Sequence, residues 1–360
     1  MKKFCKVLVS SVVIAAMTGC SSTTEEVEKV MDAQEVYGCN VINVFNSGEY
    51  IGEDVVANFE KAYGASVNYS MFDSNEALYT KLQGGSYYDV LVPSDYMIER
   101  LLEEEYLQPL DKNIITNWDT LSDAVKNLSF DPDNEYSVPY FYGTVGIVYN
   151  KNNVDEEQLH ELGYDIFRQE EYKGRVFMYD SERDSFMIAL KALGYSMNTE
   201  DPDELQEAYE WLLEVDEKVD PAYVMDEVID AMSNGDRDLA ILYSGDAAYV
   251  LNENEDMGYY LPESGTNIWY DSMVIPANSQ CYGLANEFIN YMMTYDVAYE
   301  NSEYIGYTSP NKDVFDEISQ NVYTNEAYIP REGFEKDEIF HYSKKQKDII
   351  SDLWIKVKNH

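Results

Sequence analysis

Histidine, cysteine and basic residues are scarce in this 360-residue sequence. The three histidines, at positions 160, 341 and 360, form no HExxH motif and no zinc-type cluster with the four cysteines. Neither a GxSxG motif nor a Walker-type glycine loop is present. With 25 Lys and Arg against 68 Asp and Glu, the chain would be repelled by nucleic acid and by anionic membranes. The common signatures of metalloenzymes, serine hydrolases, NTPases and nucleic-acid-binding proteins are therefore missing.

The N-terminus carries a targeting signal. A basic segment with Lys2, Lys3 and Lys6 precedes the short apolar run VLVSSVVIAAM, and the sequence MTGC follows, ending at Cys20. This order predicts a lipoprotein signal peptide over residues 1–19 and a diacylglyceryl group on Cys20; a plain secretory signal is the alternative. No other run is long and apolar enough to span a bilayer. We therefore expect an extracytoplasmic protein, lipid-anchored to the membrane or in the periplasm.

A polar, acidic segment follows the signal. Residues 20–38 predict the lipidated cysteine and a flexible tether, so the folded part should begin near Cys39. Once the signal is removed and Cys20 is lipidated, Cys39 and Cys281 are the remaining cysteines. In an oxidising compartment they can form a disulfide, and the spacing allows two free buried thiols equally well.

The length exceeds what one hydrophobic core usually supports, so two lobes are expected. Buried-strand and amphipathic-helix patterns alternate from residue 41 onward. Strands are predicted over residues 41–46, 66–72, 88–94, 144–150, 174–180 and 237–245. Helices are predicted over residues 53–64, 75–85, 95–106, 185–194 and 202–215, with Ser94 as a candidate N-cap. This rhythm predicts an α/β fold with mostly parallel sheets and helices on both faces.

Tyrosine is unusually common, with 33 Tyr beside 13 Phe and 4 Trp. In open α/β sheets, ligands bind beyond the carboxyl ends of strands. Each predicted strand-end turn contains an acid, and most place an aromatic residue beside it. The turns are 46–50, 93–96, 180–184, 243–246 and 269–271. A carboxylate flanked by aromatic faces suits an organic cation, because the acid neutralises the charge and the rings attract it.

Structural roles compete with this interpretation at several positions. Asp184 precedes a helix and could serve only as its N-cap. Tyr96 could pack on the first turn of a helix, and Trp269 could be an ordinary core aromatic. Asp271 stands out, because a charge at the entrance of an apolar strand needs a partner to offset its desolvation.

Eight sequence blocks occur in the order typical of one family. They are VFNSGEYI, SNEALYTKL, YDVLVPSDYMIERL, SVPYFYGTVGIVYN, EYKGRVFMYDSERDSFMIALKALGYSMNTEDPDEL, ILYSGDAAYV, WYDSMVIPANSQ and YIGYTSPN. Together they resemble the spermidine/putrescine-binding proteins, the extracytoplasmic solute receptors of polyamine ABC transporters. The resemblance extends from about residue 41 across essentially the whole chain.

The resemblance implies a two-lobe periplasmic-binding-protein fold with hinge strands. Lobe 1 would combine residues 39–146 with 271–316, and lobe 2 would combine residues 147–270 with 317–360. The ligand, spermidine or putrescine, would be trapped between the lobes of a monomer, which then docks on a membrane permease. No catalytic residue, metal or cofactor is expected.

The resemblance also assigns ligand-binding roles. The matching positions are Glu49, Tyr50, Ser94, Tyr96, Asp184, Tyr243, Trp269 and Asp271. Trp269 and Asp271 would hold an ammonium group, and Asp184 a terminal amine. Three positions depart from the family: Ser47 replaces a frequent Trp, Ser181 replaces a second acid, and a C-terminal glutamine contact falls near His341.

The sequence leaves two alternative functions open. A related receptor could bind another cationic solute, including ferric iron held by tyrosinates. From a different class, a secreted hydrolase could use two carboxylates placed anywhere in the sequence.

Overall fold

A computed structural model describes residues 29–48, 50–225, 227–331 and 333–360. The predicted signal peptide, Cys20, the first part of the tether and Glu49 lie outside the described residues. Over the described ranges, no helix has both the length and the apolar character needed to cross a membrane.

The strands form one mixed sheet, in the order β2-β1-β3-β10-β5-β8-β6-β7, with β4 beside β10 and β9 beside β5. Pairing is parallel among β2, β1 and β3 and among β8, β6 and β7. It is antiparallel wherever β5 or β10 takes part, so the predicted parallel sheet occurs at the two sides of an antiparallel centre. The strands are β1 (Val41–Ser47), β2 (Ser66–Phe72), β3 (Val90–Leu91), β4 (Leu107–Gln108), β5 (Ser137–Asn150), β6 (Val176–Tyr179), β7 (Ala222–Val224), β8 (Leu239–Tyr243), β9 (Met257–Tyr260) and β10 (Ile268–Pro276).

Helices cover the sheet, and the helices predicted from the sequence are all present. The α-helices are α1 (Ala33–Tyr37), α2 (Val55–Tyr63), α3 (Asn75–Gln83), α4 (Asp95–Glu103), α5 (Glu156–Leu162), α6 (Glu182–Leu193), α7 (Pro202–Val219), α8 (Glu227–Ser233), α9 (Ser244–Glu253), α10 (Tyr282–Met292), α11 (Tyr295–Ile305), α12 (Lys312–Asn321) and α13 (Lys344–Val357). Short 3-10 helices occupy Asn117–Thr120, Asp123–Val125, Gly163–Arg168 and Glu170–Tyr172.

Local sequence explains where helices begin and end. In α2, Val55, Phe59, Ala62 and Tyr63 are the buried residues, which is the i, i+4, i+7, i+8 spacing of one helix face. Gly64 then ends the helix in the left-handed conformation, at φ 59°, which glycine adopts without a steric penalty.

The fully buried strand β5 connects the two sides of the sheet. Its first half pairs with β10, and its second half, from Val145, pairs with β8 and β9. One glycine in β5 and one in the neighbouring strand β9 lie beneath tyrosine rings. A Cβ at Gly146 would meet the ring of Tyr259 at 2.3 Å, and one at Gly258 would meet the ring of Tyr149 at 2.6 Å. These positions therefore accept no side chain unless the facing ring moves.

Residues 30–38 pack against the domain. The end of the predicted flexible tether forms α1, whose N-cap Asp32 accepts hydrogen bonds from the N–H groups of Gln34 and Glu35. Ala33 is completely buried, and the N–H of Val30 donates to the carbonyl of Ala62 at 2.7 Å. Capping and burial of this short segment stabilise it against the domain, so the fold starts before Cys39.

A disulfide joins Cys39 to Cys281, immediately before β1 and α10, across 242 positions of sequence. This resolves the alternative that composition left open. The bond fixes the segment just before β1 against α10, where Tyr37 also donates a hydrogen bond to Glu287 at 2.7 Å.

Replacing Cys39 with serine is expected to lower the free energy of unfolding by about 2–5 kcal/mol, because the disulfide restricts the unfolded chain over a very long loop. Urea titration followed by circular dichroism measures the loss. The Cys281→Ser variant and the wild type with a reductant should lose the same amount. Equal stability of oxidised and reduced wild type would contradict the structural role of this bond.

Candidate functional site

Most of the predicted site residues converge in one place. They come from the turn after β1, the start of α4, the start of α6, the end of β8 and the middle of β10. The residues brought together are Tyr50, Ser94, Tyr96, Asp184, Tyr243, Trp269 and Asp271. Glu49, which was also predicted, is outside the described residues.

Asp271 is the centre of the first part of the site. It lies inside β10 and not in the strand-end turn that the sequence predicts. The pairing with β5 shifts register between Asp271 and Ser272, because Tyr140 is an extra residue in β5 at this point. The Tyr50 hydroxyl donates to Asp271 Oδ2 at 2.8 Å. Burial raises the pKa of Asp271, and hydrogen bonds from Ser94 and Tyr50 offset part of that rise. The carboxylate is therefore enclosed but incompletely compensated.

Ser94 is the N-cap residue of α4, as predicted, but its side chain makes no capping hydrogen bond to the first turn. Its hydroxyl instead accepts from Asn75 Nδ2 at 3.0 Å, and its backbone forms a bridge with Asp271. Asn75 also accepts the Ser94 N–H at 3.1 Å. The serine thus links α3 and α4 to β10 at the site.

The next residue, Asp95, was not predicted, although it stands in the quoted block VPSDY. It is 1% exposed and accepts backbone hydrogen bonds from Tyr96 at 2.7 Å and Tyr270 at 3.0 Å. Burial is the main cause that raises the pKa of Asp95 to about 8, and repulsion by Asp271 adds to the rise. The two backbone hydrogen bonds lower the pKa and offset only part of this rise. A second buried carboxyl therefore lies behind Asp271.

Asp184 forms the second part of the site. The N-cap of α6 is Ser181, not Asp184, so the alternative role as a cap is wrong. Asp184 Oδ2 accepts from the Tyr243 hydroxyl at 2.9 Å and from the Ser181 hydroxyl at 2.6 Å. Ser181, the position where the family's second acid is replaced, thus orients the acid that remains.

Aromatic rings connect the two parts. Trp269, 8% exposed, has ring-centroid distances of 6.0 Å to Tyr243 and 5.0 Å to Tyr307, both edge-on. Tyr307 in turn lies 5.8 Å from Tyr50. Glycines make room for this wall: a Cβ at Gly143 would lie 2.7 Å from Trp269, and one at Gly245 would lie 2.1 Å from Tyr307. Trp269 therefore packs among the rings beside the predicted site residues, and its contact with a ligand stays a prediction.

A further carboxylate, Asp246, was missed by sequence reasoning. It lies in the first turn of α9 and accepts from the hydroxyls of Tyr307 at 3.0 Å and Tyr179 at 3.3 Å. The turn 243–246 was singled out from the sequence, but only Tyr243 received a role. Tyr307 was part of a quoted block, YIGYTSPN, and carried no assignment.

The site tyrosines are protonated hydrogen-bond donors. Burial, reinforced by the nearby carboxylates, raises the pKa of Tyr50, Tyr179, Tyr243 and Tyr307 well above the ordinary value. Their hydroxyls therefore donate hydrogen bonds to the acids and orient them. Across the described ranges, no group of three or more His, Cys, Asp and Glu residues is placed to hold a metal ion.

Beyond Tyr96, a cleft of about 530 Å³ opens to solvent. Its lining includes Tyr96, Arg183, Phe340 and His341. The expected C-terminal contact near His341 falls in this cleft: the side chain is 46% exposed, and its Nδ1 lies 3.2 Å from Glu99 Oε1.

The chain is similar in sequence to known solute-binding proteins. A family model described as bacterial extracellular solute-binding protein matches residues 54–329. The spermidine/putrescine-binding periplasmic protein of Salmonella typhimurium is 32% identical over 302 residues, which cover 83% of this chain and 86% of the relative. The putrescine-binding periplasmic protein PotF of Escherichia coli is 30% identical over 307 residues, covering 80% and 83%.

Solved structures agree with the sequence relatives. A spermidine/putrescine ABC transporter protein from Listeria monocytogenes is 34% identical, with a TM-score of 0.80, over 89% of this chain and 99% of that chain. PotD, the spermidine/putrescine substrate-binding protein from Streptococcus pneumoniae, is 35% identical, with a TM-score of 0.76 over the same shares. The predicted two-lobe α/β fold is thereby confirmed. The chain belongs to the bacterial extracellular solute-binding proteins, among the spermidine/putrescine-binding proteins of ABC transporters.

Proposed function

We propose that this protein is an extracytoplasmic receptor for spermidine or putrescine that delivers its ligand to an ABC permease. The observation that carries the proposal is the row of three carboxylates, Asp184, Asp246 and Asp271, each accepting a hydrogen bond from at least one tyrosine hydroxyl. Ring contacts link the tyrosines of these acids: Trp269 lies beside Tyr243 and Tyr307, and Tyr307 lies beside Tyr50. Alternating acids and aromatic faces match a molecule of alternating ammonium and methylene groups.

The energies of these contacts favour a polyamine. A hydrogen bond from an ammonium to Asp271 would contribute about 1.5–3 kcal/mol. Contacts between the cation and the aromatic faces add about 0.5–2 kcal/mol each. Each methylene covered by Trp269 or Tyr307 adds about 0.8 kcal/mol. A neutral solute would gain only the last of these and would leave the carboxylates desolvated.

Capture would require the two lobes to close on the ligand. We place lobe 1 around the first half of β5, with residues 39–146 and 271 onward, and lobe 2 around its second half, with residues 147–270 and the C-terminal segment. The predicted division at residue 316 falls inside α12, which packs on α11. The last crossing therefore fits better after Asn321.

The N-terminal signal sequence supports membrane attachment through Cys20. We expect the receptor to act as a monomer. A lipid anchor would hold the receptor near its permease in the membrane. Trapping and release involve no bond making, so we assign no catalytic residue.

The alternatives receive less support from the geometry. Ferric iron binding would need tyrosinate ligands, whereas the site tyrosines have raised pKa values, stay protonated and donate hydrogen bonds to carboxylates. A carboxylate-dependent hydrolase would need one acid to deliver a proton beside a second that is accessible to water. Asp184 and Asp271 are instead each paired with a tyrosine hydroxyl.

Calorimetric titration with putrescine, spermidine, cadaverine and an amino acid tests the proposal. We expect at least one polyamine to bind far more tightly than the millimolar range and the amino acid not to bind. Failure of all three amines would remove the proposed function.

The affinity for a polyamine is expected to rise as the pH is raised from 5.5 to about 8. The upper limit is the raised pKa of Asp95, above which this carboxyl is ionised. An ammonium binds the ionised carboxylates, and the pKa values of Asp271 and Asp95 are both raised in the empty site, so acid weakens binding. Alkyl ammonium groups keep their protons over this range, since lysine has a pKa of about 10.4. Titration in two buffers of different ionisation enthalpy should also detect proton release. A flat pH profile without proton release would contradict this assignment.

A further inference from the structure

A contact between the two proposed lobes lies outside the row of carboxylates. Helix α4 belongs to lobe 1, and its residue Glu99 faces the segment that leads into α13 of lobe 2. Glu99 Oε2 accepts the backbone N–H of Tyr342 at 2.7 Å, and Glu99 Oε1 lies 3.2 Å from His341 Nδ1. Both carboxylate oxygens of this lobe 1 residue therefore contact lobe 2.

The next residue, Arg100, makes a second contact between the same two parts. Its guanidinium carbon lies 3.4 Å from the ring centroid of Tyr79 and 4.7 Å from that of Tyr342. Its Nε donates to Glu104 Oε1 at 3.0 Å, and Glu104 Oε2 accepts from the Tyr79 hydroxyl at 2.6 Å. Contacts within lobe 1 thus fix the guanidinium in the position where it meets the Tyr342 ring.

The lobe 2 side of this contact is also fixed. Asn198 accepts the His341 N–H at 2.9 Å and donates to the Ile339 carbonyl at 2.8 Å. Glu338, just before them, accepts from Lys191 at 2.7 Å, and this lysine is only 2% exposed. The helix that follows, α13, packs on α6 and α7. We therefore expect this segment to move with lobe 2 as one rigid part.

The contacts lie beside the proposed binding row and not within it. Arg100, His341 and Tyr342 line the solvent-open cleft. None of the polyamine contacts proposed above involves Glu99 or Arg100. A hydrogen bond to a carboxylate and a cation–aromatic contact stabilise one arrangement of the lobes, and both end when the lobes separate.

We propose that Glu99 and Arg100 form a latch with Tyr342 that holds the lobes closed and slows the release of a bound polyamine. The inference rests on the proposed function and on its division into lobes. Glu99 and Arg100 are positioning residues, which act through the lobes. Because the latch stabilises the closed arrangement without touching the ligand, its loss raises the dissociation rate. The association rate does not fall, because the ligand enters the open arrangement, where these contacts are absent.

Glu99→Ala tests the latch, since it removes both contacts of the carboxylate. Stopped-flow tryptophan fluorescence with putrescine and with spermidine gives the association and dissociation rate constants. We expect release to be about tenfold faster, the lower end of what a hydrogen bond to a charged group contributes, because the Glu99 side chain is 26% exposed. Glu103→Ala is the matched control: Glu103 is an exposed acid on the same helix, and both rate constants should keep their wild-type values.

Tyr342→Leu provides a second measurement. Leucine keeps the backbone N–H that Glu99 accepts and removes the ring that Arg100 contacts. We expect release to be about two- to fivefold faster with unchanged association, as for a partly exposed cation–aromatic contact. If Glu99→Ala does not fold, as judged by circular dichroism, this variant decides the question.

The two rate constants separate the possible results. A wild-type dissociation rate in folded Glu99→Ala overturns the latch and leaves the proposed function standing. Slower association with unchanged release also overturns it, because Glu99 would then act by attracting the cation toward the cleft. If the wild type binds neither amine in the calorimetric titration, the proposed function fails, and the latch fails with it.

Discussion

The Asp271→Asn variant is expected to bind polyamines about 2–5 kcal/mol more weakly than the wild type, the usual effect of removing one member of an enclosed charge pair. Asparagine keeps the shape and still accepts the Tyr50 hydroxyl, which lies 2.8 Å from Asp271 in the wild type. Only the charge that attracts the ammonium is lost. Calorimetry with putrescine and spermidine measures the change.

The same variant is expected to unfold at a higher temperature when no ligand is present. Burial raises the pKa of Asp271, so its ionisation destabilises the folded state as pH rises above the pKa of the unfolded chain. Asparagine removes that destabilisation at neutral pH. Asp133→Asn, an exposed loop acid with the same charge change, should alter neither affinity nor stability. Unchanged polyamine affinity in Asp271→Asn would exclude Asp271 from the site.

The second large effect is expected for Gly245→Val. A Cβ at this position would lie 2.1 Å from the ring of Tyr307, well inside van der Waals contact. The ring has little freedom to withdraw, because its edge meets Trp269 at a centroid distance of 5.0 Å and its hydroxyl bonds to Asp246 at 3.0 Å. We expect a loss of about 1–3 kcal/mol of folding stability and no detectable polyamine binding.

Thermal unfolding and calorimetry measure these two effects. Gly84→Ala is the matched control, because a Cβ there meets only ordinary contacts, at 3.4 Å, and the backbone conformation suits any residue. Tyr307→Ala removes the clash, so Gly245→Val should cost little further stability when it is added to the Tyr307→Ala variant, while binding stays weak. Normal binding by Gly245→Val would show that Tyr307 is not part of the wall.

Sequence reasoning located much of the site, because strand order places successive turns at one edge of a sheet. Tyr50, Tyr243 and Asp271 were found on this basis and by resemblance, and the structure brings them together. The predicted geometry of Asp271 was wrong, however. It lies within β10 beside a bulge at which β5 has one extra residue, and a bulge depends on strand pairing that single-strand patterns do not reveal.

The missed residues depend on tertiary contacts. Asp246 and Tyr307 are 61 positions apart and meet only through a hydroxyl–carboxylate hydrogen bond. Glu99 is part of the quoted block YDVLVPSDYMIERL, but its hydrogen bond with Tyr342 cannot be read from spacing. The disulfide was left open for the same reason: two cysteines far apart in sequence are informative only once their distance in space is known.

The glycine–tyrosine pairs of β5 and β9 have a consequence for natural variation. Gly146 lies beneath Tyr259, and Gly258 lies beneath Tyr149, so enlarging either glycine requires a smaller ring opposite. The two residues of each pair should therefore change together or not at all among related sequences, although none of the four residues has a proposed contact with the ligand. Positions of this kind can be as invariant as the ligand contacts, so invariance alone would not identify a binding residue in this protein.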